Sequence, residues 1–478
     1  MAAPSTTAPP QLSRSRRVGI LAICCTSLLI VGIDLTIVNV ALPSIGHQFH
    51  ASVSGLQWTI DAYTLVIAAL LMLAGATADR VGRKRVFRLG LTMFTLGSAL
   101  CSLAPNLPLL VVFRMIQAVG GSMLNPVAMS IITNTFTDRK ERAQAIGIWG
   151  VAIGFSMALG PIVGGVLVNS IGWRSIFWIN IPVGIGAILL TSVYVPESKA
   201  PRARRPDPPA QILVVVLLVA LTYAIIQGPR AGWMSAEILG CFAVAAAALV
   251  ALLIHESGRR EPLIDLRFFR SAPFSGATAI AVFAFAALGG FLLLNTLYLQ
   301  DARHLSALHA GLDTLPMAVT WLLAAPFSGQ LVGRGGPRVP LVLAGACIAA
   351  AAVILSQMGA TTPIGTLFVA YTLLGIGMGL VNPPISVAAV SGMPISQAGV
   401  AAAIASTSRQ VGSTLGVAVF GALTTAAEVG GHLALPAATH DAWWVMLACG
   451  LAVLVLGAVT TTRWAHATAS RTAAMVGA

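Results

Sequence analysis

Residues 18–43 read VGILAICCTSLLIVGIDLTIVNVALP, a run in which Asp34 is the one charged side chain. A helix needs about 20 apolar residues to cross the roughly 30 Å hydrocarbon core of a bilayer. The run is too long for the core of a signal peptide, and it contains no small-residue cleavage site. It therefore predicts a first transmembrane helix that is not removed.

The rest of the chain repeats this pattern. Of its 478 residues, 57% are hydrophobic and only 9% are charged, whereas soluble proteins carry roughly 25% charged residues. The segments lack the alternation of a membrane-spanning β-barrel. We predict an all-α integral membrane protein with fourteen spans, near residues 18–41, 55–78, 86–104, 107–128, 143–167, 173–195, 211–228, 236–254, 273–299, 309–332, 339–358, 364–390, 398–425 and 442–464.

Lys and Arg residues are distributed unequally between alternate loops. If the N-terminus is cytoplasmic, 23 of the 28 lie in cytoplasmic segments, three lie in outer loops, and Arg114 and Arg409 lie within spans. Positive charge marks the cytoplasmic side of membrane proteins. We therefore expect a multi-pass protein of the inner (cytoplasmic) membrane with both termini cytoplasmic. The net charge of +13 then reflects topology rather than nucleic-acid binding.

Two segments of the chain recur. The loop GATADRVGRKR at 75–85 matches GQLVGRGGPR at 329–338, and GGSMLNP at 120–126 matches GMGLVNP at 377–383. We therefore predict an N-terminal six-helix bundle over 1–195, a linker and two additional helices over 196–272, and a C-terminal six-helix bundle over 273–478. Residues 196–209, rich in Pro and Arg, predict a stiff linker. Parallel repeats of this kind are typical of transporters that rock around a site at the membrane midplane.

The first of these loops concentrates charge at a tight turn, with Asp79 between Gly75 and Gly82 and next to Arg80, Arg83 and Lys84. Such charges can make and break contacts between helix ends and so act as a gate. They can also do no more than set topology. Gly333 stands where the first loop has Asp79, so a gate in the second half would be weaker.

The ordered set of motifs resembles the major facilitator superfamily, and specifically its fourteen-helix drug:proton antiporters, which are multidrug efflux transporters. The motifs are Asp34–Pro43, Trp58-x-x-Asp61-x-Tyr63, the 75–85 loop, Arg114-x-x-Gln117-x-x-Gly120, Gly150-x-x-x-Gly154, Gly160-Pro161-x-x-Gly164-Gly165, Trp173-Arg174-x-x-Phe177-x-x-Asn180-x-Pro182-x-Gly184 and Ser408-Arg409-Gln410-x-Gly412. The resemblance covers about residues 18–464 and implies two six-helix bundles with two extra helices between them. It also implies that Gly160-Pro161 marks an antiporter. It further implies that acidic residues of the first two spans recognise cations and couple protons.

Three ionisable residues lie at a similar depth, about 10 Å below the outer surface: Asp34, Asp61 and Arg114. Such groups cost several kcal/mol in a membrane unless they are paired or hydrated. We predict that Asp34 and Asp61 exchange a proton for a cationic substrate. Arg114 keeps its charge and would tune the exchange through a carboxylate or Gln117. The alternatives are a static ion pair between Asp34 and Arg114, and a merely hydrated Asp61.

Other polar and aromatic residues within spans are candidates for a cavity wall, although such residues more often pack or face lipid. Besides Asp34 and Asp61, the substrate-binding candidates are Tyr63, Trp149, Asn295, Tyr298, Trp321 and Asn382. Arg409 either closes a polar network with Gln410 or satisfies backbone carbonyls. The small residues around Gly160 and Pro161 could equally serve static close packing.

These features favour a secondary antiporter in which proton influx drives the export of amphipathic cationic drugs. The alternative is a proton-driven exporter dedicated to one metabolite, lipid or antibiotic. A membrane enzyme or sensor is disfavoured, because the sequence has no phosphate-binding loop, no metal-ligand cluster and no His inside a span. We expect no cofactor and no metal, and we expect a functional monomer that meets an amphipathic substrate, protons and the bilayer.

Overall fold

The computed structural model describes residues 13–200, 207–259, 262–359, 361–391, 393, 395–429 and 439–477, and no strand occurs among them. The helices are α1 (Arg14–Phe49), α2 (Val53–Val81), α3 (Arg83–Ser102), α4 (Leu107–Thr135), α5 (Arg139–Ser170), α6 (Ser175–Trp178), α7 (Asn180–Tyr194), α8 (Pro208–Ala231), α9 (Ala236–Ser257), α10 (Ala272–Leu297), α11 (Ala307–Asp313), α12 (Leu315–Gly335), α13 (Arg338–Leu355), α14 (Ile364–Val390), α15 (Ile395–Val429), α16 (His440–Val459) and α17 (Arg463–Gly477). A 3-10 turn, Leu266–Arg270, precedes α10 and a π-helical turn, Tyr298–Ala302, ends it.

Every predicted span coincides with a helix, and the predicted all-α membrane fold is confirmed. Thirteen segments of the described chain are long and apolar enough to cross a membrane. The predicted third span is α3, which is not one of the thirteen because Arg83, Lys84, Arg85 and Arg88 occupy its first turns. The sixth and tenth spans are each broken in two, at the junctions α6–α7 and α11–α12.

Helix packing repeats along the chain. In the first half α1 packs along α5, α3 packs along α4, and α2 also packs along α4. In the second half the same partnerships join α10 to α15, α13 to α14, and α12 to α14. Glycines allow the close approaches: a Cβ added to Gly97 of α3 would lie against the backbone of Gln117, and one added to Gly345 of α13 would lie against Leu454.

Helices α8 and α9 pack against each other beside these two sets, and α8 also contacts α2 and α15. Asp207 caps the first turn of α8 and accepts hydrogen bonds from His255 (3.0 Å) and Arg259 (3.3 Å), which fixes the start of α8 to the end of α9. Residues 201–206 of the predicted stiff linker lie outside the described residues.

The basic end of the bundle is the end where α1 begins and α2 ends; the opposite end is the far end. Near the far end, α5 and α11 are in close contact, since a Cβ at Gly165 would lie against Ala307 and one at Gly311 would lie against Pro161. Gly147 and Gly150 lie on the α5 face that Gly154 presents to Leu322 of α12, but they have open space beside them. The helices α5 and α12 therefore part toward the basic end.

Candidate functional site

The carboxylate of Asp34 lies in the middle of α1 and is fully buried. Its Oδ2 accepts a hydrogen bond from Arg114 Nη1 at 2.5 Å, and its Oδ1 accepts from Gln117 Nε2 at 2.8 Å and from Asn180 Nδ2 at 3.2 Å. Ser98 Oγ accepts from Gln117 Nε2 at 2.7 Å and from Asn180 Nδ2 at 3.2 Å. The carboxylate of Asp34 thus links α1 to α4 and α7 by hydrogen bonds. Ser98, which bonds to the same two amides, connects α3 to this network.

The guanidinium of Arg114 is enclosed on its remaining sides. The ring centroid of Tyr63 lies 4.0 Å from its central carbon and that of Phe177 lies 5.9 Å away. Its Nε donates to Thr59 O at 3.4 Å and its Nη1 donates to Gln117 Oε1 at 2.7 Å. Tyr63, a predicted substrate contact, is fully buried and in this conformation stacks on a cation of the protein.

The sequence left open whether Arg114 would bond to a carboxylate or to Gln117, and in the structure it donates to both. Sequence reasoning did not assign Asn180 or Ser98 to this network. Asn180 belongs to the 173–184 motif, and this position could have indicated a functional role from the sequence. The break between α6 and α7 makes Asn180 the first residue of α7, at the depth of Asp34. Ser98 carries no comparable signal.

Asp61 occupies a different place, the seam between α2 and α15. On the same face of α2, Gln57 Nε2 donates to Val417 O at 3.0 Å, and Thr64 Oγ1 lies 2.9 Å from Thr414 Oγ1. Asp61 lies on α2 between the residues that make these two contacts with α15, and it is fully buried. Neither of its carboxylate oxygens has a hydrogen-bond partner among the described residues. The structure does not join Asp61 to the Asp34 network.

The second half has a neutral pair at the corresponding helices. Tyr371 of α14, which the repeat places opposite Arg114, donates through its hydroxyl to Asn295 Oδ1 of α10 at 2.5 Å, and both residues are buried. A tyrosine–amide pair carries no net charge at neutral pH. The charged network of the first half therefore has an uncharged counterpart.

The other predicted wall residues are spread over the molecule. Trp321 lines a void of about 10 Å³ with Thr36, Met157 and Pro161, room for about one water molecule. Trp149 packs against the core of the first half. Tyr298 is fully buried and donates to Gly359 O at 2.7 Å, whereas Asn382 is half-buried.

Arg409 of α15 donates to Ser406 Oγ at 2.9 Å, one turn earlier on the same helix. Its Nη1 is buried and has no partner among the described residues. The structure shows no hydrogen bond between Arg409 and Gln410 in the part of the chain it describes. Among the described residues, Arg409 thus shows neither of the two arrangements left open for it, a bond to Gln410 or bonds to backbone carbonyls.

The charged loop between α2 and α3 contacts the end of α7. Arg83 Nη2 and Nε donate to Asp79 Oδ1 at 2.8 and 3.0 Å, and Lys84 Nζ donates to Ser192 O at 2.7 Å. Gly82 turns the chain with φ of 130°, a value that favours glycine. Arg80 is exposed, and Gly75 packs against Pro126 of α4. The turn is thus fixed within the first half of the chain.

Gly160 and Pro161 lie where α5 meets two helices. A Cβ on Gly160 would clash with Thr36 of α1, and the backbone of Pro161 lies against Gly311 of α11. The small-residue face therefore holds α5 against α1 within the first half and against α11 across the seam.

Two sets of six helices with matching partnerships, buried carboxylates in one set and open space beside α5 toward the basic end agree with one transporter architecture. A sequence model of the Major Facilitator Superfamily matches residues 24–417. The chain belongs to this superfamily. It is accordingly a membrane transporter and not an enzyme.

Superfamily members with related sequences carry names that refer to drug resistance. The chain is 37% identical over 399 residues to the multidrug resistance protein Stp of Mycobacterium tuberculosis, covering 84% of this chain and 74% of that one. It is 35% identical over 398 residues to the tetracenomycin C resistance and export protein of Streptomyces glaucescens, covering 83% and 74%. The predicted resemblance to the drug-efflux branch is confirmed.

The fold is also similar to that of a solved D-xylose–proton symporter, with a TM-score of 0.67 over 92% of this chain and 97% of that one. The sequence identity in that comparison is 15%. At this identity the likeness concerns the fold alone.

Proposed function

We propose that the chain is a proton-coupled antiporter that exports amphipathic, cationic drugs across the cytoplasmic membrane. The observation that carries the proposal is a pair of buried carboxylates in unlike surroundings. Asp34 is bonded to Arg114 inside the first half, and Asp61, in the seam between α2 and α15, has no hydrogen-bond partner in the described part of the chain. An acidic residue inside a membrane span costs free energy, and such residues ordinarily have a function.

Asp61 links protonation to the closing of this seam. When α2 and α15 close around Asp61, its side chain loses water and gains no hydrogen bond from the described residues of α15 in exchange. Burying an ionised carboxylate in that way costs several kcal/mol, whereas burying a neutral acid costs far less. Proton uptake therefore favours the closed far end, and loss of the proton favours its opening.

Asp34 supplies the site at which a proton and a cationic cargo compete. Its negative charge is balanced by Arg114, which does not release a proton. A cation that enters the cleft between α5 and α12 binds most tightly when the carboxylates are ionised, and it is released when one of them is protonated. The neutral pair Tyr371–Asn295 leaves this exchange to the first half.

Orientation follows from the distribution of basic residues, 23 of 28 on one side. We infer that this side and both termini are cytoplasmic. The cleft between α5 and α12 then opens to the cytoplasm, where an exporter loads its cargo. Two bundles, 1–195 and 273–478, rock against each other around the contact between α5 and α11. Each chain contains a whole cleft, which supports a functional monomer.

The proposal is tested with inverted membrane vesicles in which an imposed gradient makes the interior acidic. Wild-type vesicles are expected to accumulate lipophilic cations. Asp34→Asn is expected to abolish proton-driven uptake and Asp61→Asn to lower it at least tenfold, each relative to the amount of inserted protein. Asp441→Asn removes an exposed acid at the start of α16 and is the matched control, expected to transport normally. Undiminished uptake in both Asp34→Asn and Asp61→Asn contradicts the proposal.

A second candidate is a proton-driven exporter dedicated to one metabolite, lipid or antibiotic. It is favoured by the tetracenomycin C resistance and export protein, a relative whose name gives a single compound. The same vesicles separate the two functions. Uptake of several unrelated cations supports the multidrug function, whereas a panel without any transported member supports the dedicated one.

A further inference from the structure

A cavity of the described chain lies between α1 and α7, away from the buried carboxylates. It has a volume of about 830 Å³, within the range of roughly 300–1,000 Å³ that is typical of small-molecule sites. Its walls come from the first turns of α1, Ser13 to Thr26, and from α7, Pro182 to Tyr194. Neither Asp34 nor Asp61 lines it.

The groove exists because small residues line both of its walls. Gly19 and Ala22 lie on α1, and Gly186 and Ala187 lie on α7. A Cβ added to Gly186 would meet nothing within 4 Å. Helices α1 and α7 contact each other, but α1 packs more extensively on α5 and α7 packs more extensively on α3, and the groove runs between α1 and α7.

The length of the groove corresponds to one leaflet of a bilayer. Thr26 comes thirteen residues after Ser13, the N-cap of α1, a rise of about 20 Å at 1.5 Å per residue. A bilayer including its headgroups is about 40–45 Å thick, so one leaflet occupies about half of that. The groove begins at the basic end and stops near the midplane.

The polarity of the groove changes along this length in the way a phospholipid requires. Ser13, Ser15 and Arg16 lie at the basic end, and the walls deeper in are formed by residues such as Ile23, Val183 and Leu190. Arg16 Nε donates to Tyr194 O at 3.0 Å, which holds the guanidinium at the mouth. Its two terminal nitrogens have no hydrogen-bond partner among the described residues and are available to a phosphate.

We propose that this groove binds one anionic phospholipid from the leaflet on the basic side, with its phosphate on Arg16 and an acyl chain between α1 and α7. An anionic headgroup is specified because Arg16 stands at the mouth and none of the described residues that line the groove is an acid. A bound lipid bridges α1, which carries Asp34, and α7, which carries Asn180, and so stabilises the folded protein by mass action.

The test uses the purified full-length protein with phosphatidylglycerol and with phosphatidylcholine of the same acyl chains. Native mass spectrometry counts the bound lipids, and thermal unfolding gives the midpoint Tm. The wild type is expected to retain one phosphatidylglycerol more tightly than phosphatidylcholine and to unfold at higher Tm when it is bound. Arg16→Gln should weaken retention about tenfold, and Gly186→Phe should abolish it by filling the groove.

The matched controls are Arg14→Gln, an arginine at the same helix end that does not line the groove, and Gly240→Phe, an exposed glycine on α9 with equal free space. Both are expected to retain the lipid as the wild type does. If Gly186→Phe retained phosphatidylglycerol as well as the wild type does, the lipid would be bound only at the outer surface of the protein, and the proposal would be overturned. Displacement of the lipid by a transported cation would make the groove a cargo site and also overturns it, as does a wild type without a tightly bound lipid.

Discussion

Asn180 is a small amide whose importance depends on what it touches. It donates to Asp34 Oδ1 and to Ser98 Oγ, each at 3.2 Å, so it supports the carboxylate from the side opposite Arg114. A hydrogen bond to a charged group contributes about 1.5–3 kcal/mol. Loss of this donor therefore weakens the network that holds the carboxylate of Asp34 beside Arg114.

We predict that Asn180→Ala lowers proton-driven uptake about tenfold per inserted protein, because the carboxylate of Asp34 loses one of its three donors. The measurement is uptake by inverted vesicles. Asn39→Ala is the control, since Asn39 is also buried in α1 but donates to the carbonyl of Leu35 on its own helix. Undiminished uptake by Asn180→Ala would indicate that this donor takes no part in transport.

At the scale of elements, α5 presents one face to two different surroundings. Toward the far end this face meets the backbone of α11 at Gly311, and toward the basic end it meets open space at Gly147 and Gly150. Interfaces of small residues bring helix backbones together and tolerate little added volume. Substitutions along one helix face should therefore act differently at its two ends.

We predict that Gly311→Leu destabilises this conformation by about 1–3 kcal/mol through overpacking, because its Cβ would lie against the carbonyl of Pro161. Gly150→Leu should leave thermal stability unchanged or slightly higher, since it has room and leucine favours helix. Thermal unfolding of the two purified variants distinguishes these effects.

Gly150→Leu should nevertheless reduce vesicle uptake, because the parted faces of α5 and α12 must meet when the basic end closes. Normal uptake by Gly150→Leu would mean that these two faces stay apart throughout the transport cycle.

At the scale of the whole molecule, the orientation in the membrane can be checked directly. Lys199 follows α7 at the basic end, and Pro105 lies in the loop between α3 and α4 at the far end; both are exposed. The six native cysteines are buried or half-buried within helices and provide a low background.

We predict that a membrane-impermeant thiol reagent added to intact cells labels Pro105→Cys and not Lys199→Cys, and that permeabilised cells label both. The unsubstituted protein is the control for native cysteines. Labelling of Lys199→Cys in intact cells would place the basic end outside and reverse the proposed direction of transport.

The sequence was sufficient for properties that depend on local composition. Hydropathy alone located the spans, because the bilayer requires each of them to be apolar over its own length. The repeats at 75–85 and 329–338 predicted two related halves, and helix packing repeats in the same order. The depth of Asp34 and Arg114 followed from helix rise, which is why their contact was anticipated.

The depth of a residue along its helix did not determine which side chains it contacts. Asp34 and Asp61 were expected in one layer, yet only Asp34 meets Arg114, while Asp61 faces α15. Which side chains meet depends on how each helix is rotated and displaced against its neighbours. The place of Asn180, the unpartnered state of Asp61 and the groove between α1 and α7 were therefore decided by the tertiary structure. The membrane-spanning helices themselves were determined by the sequence. Each segment must be apolar by itself, because a polar residue in contact with lipid raises the free energy whatever the rest of the fold does.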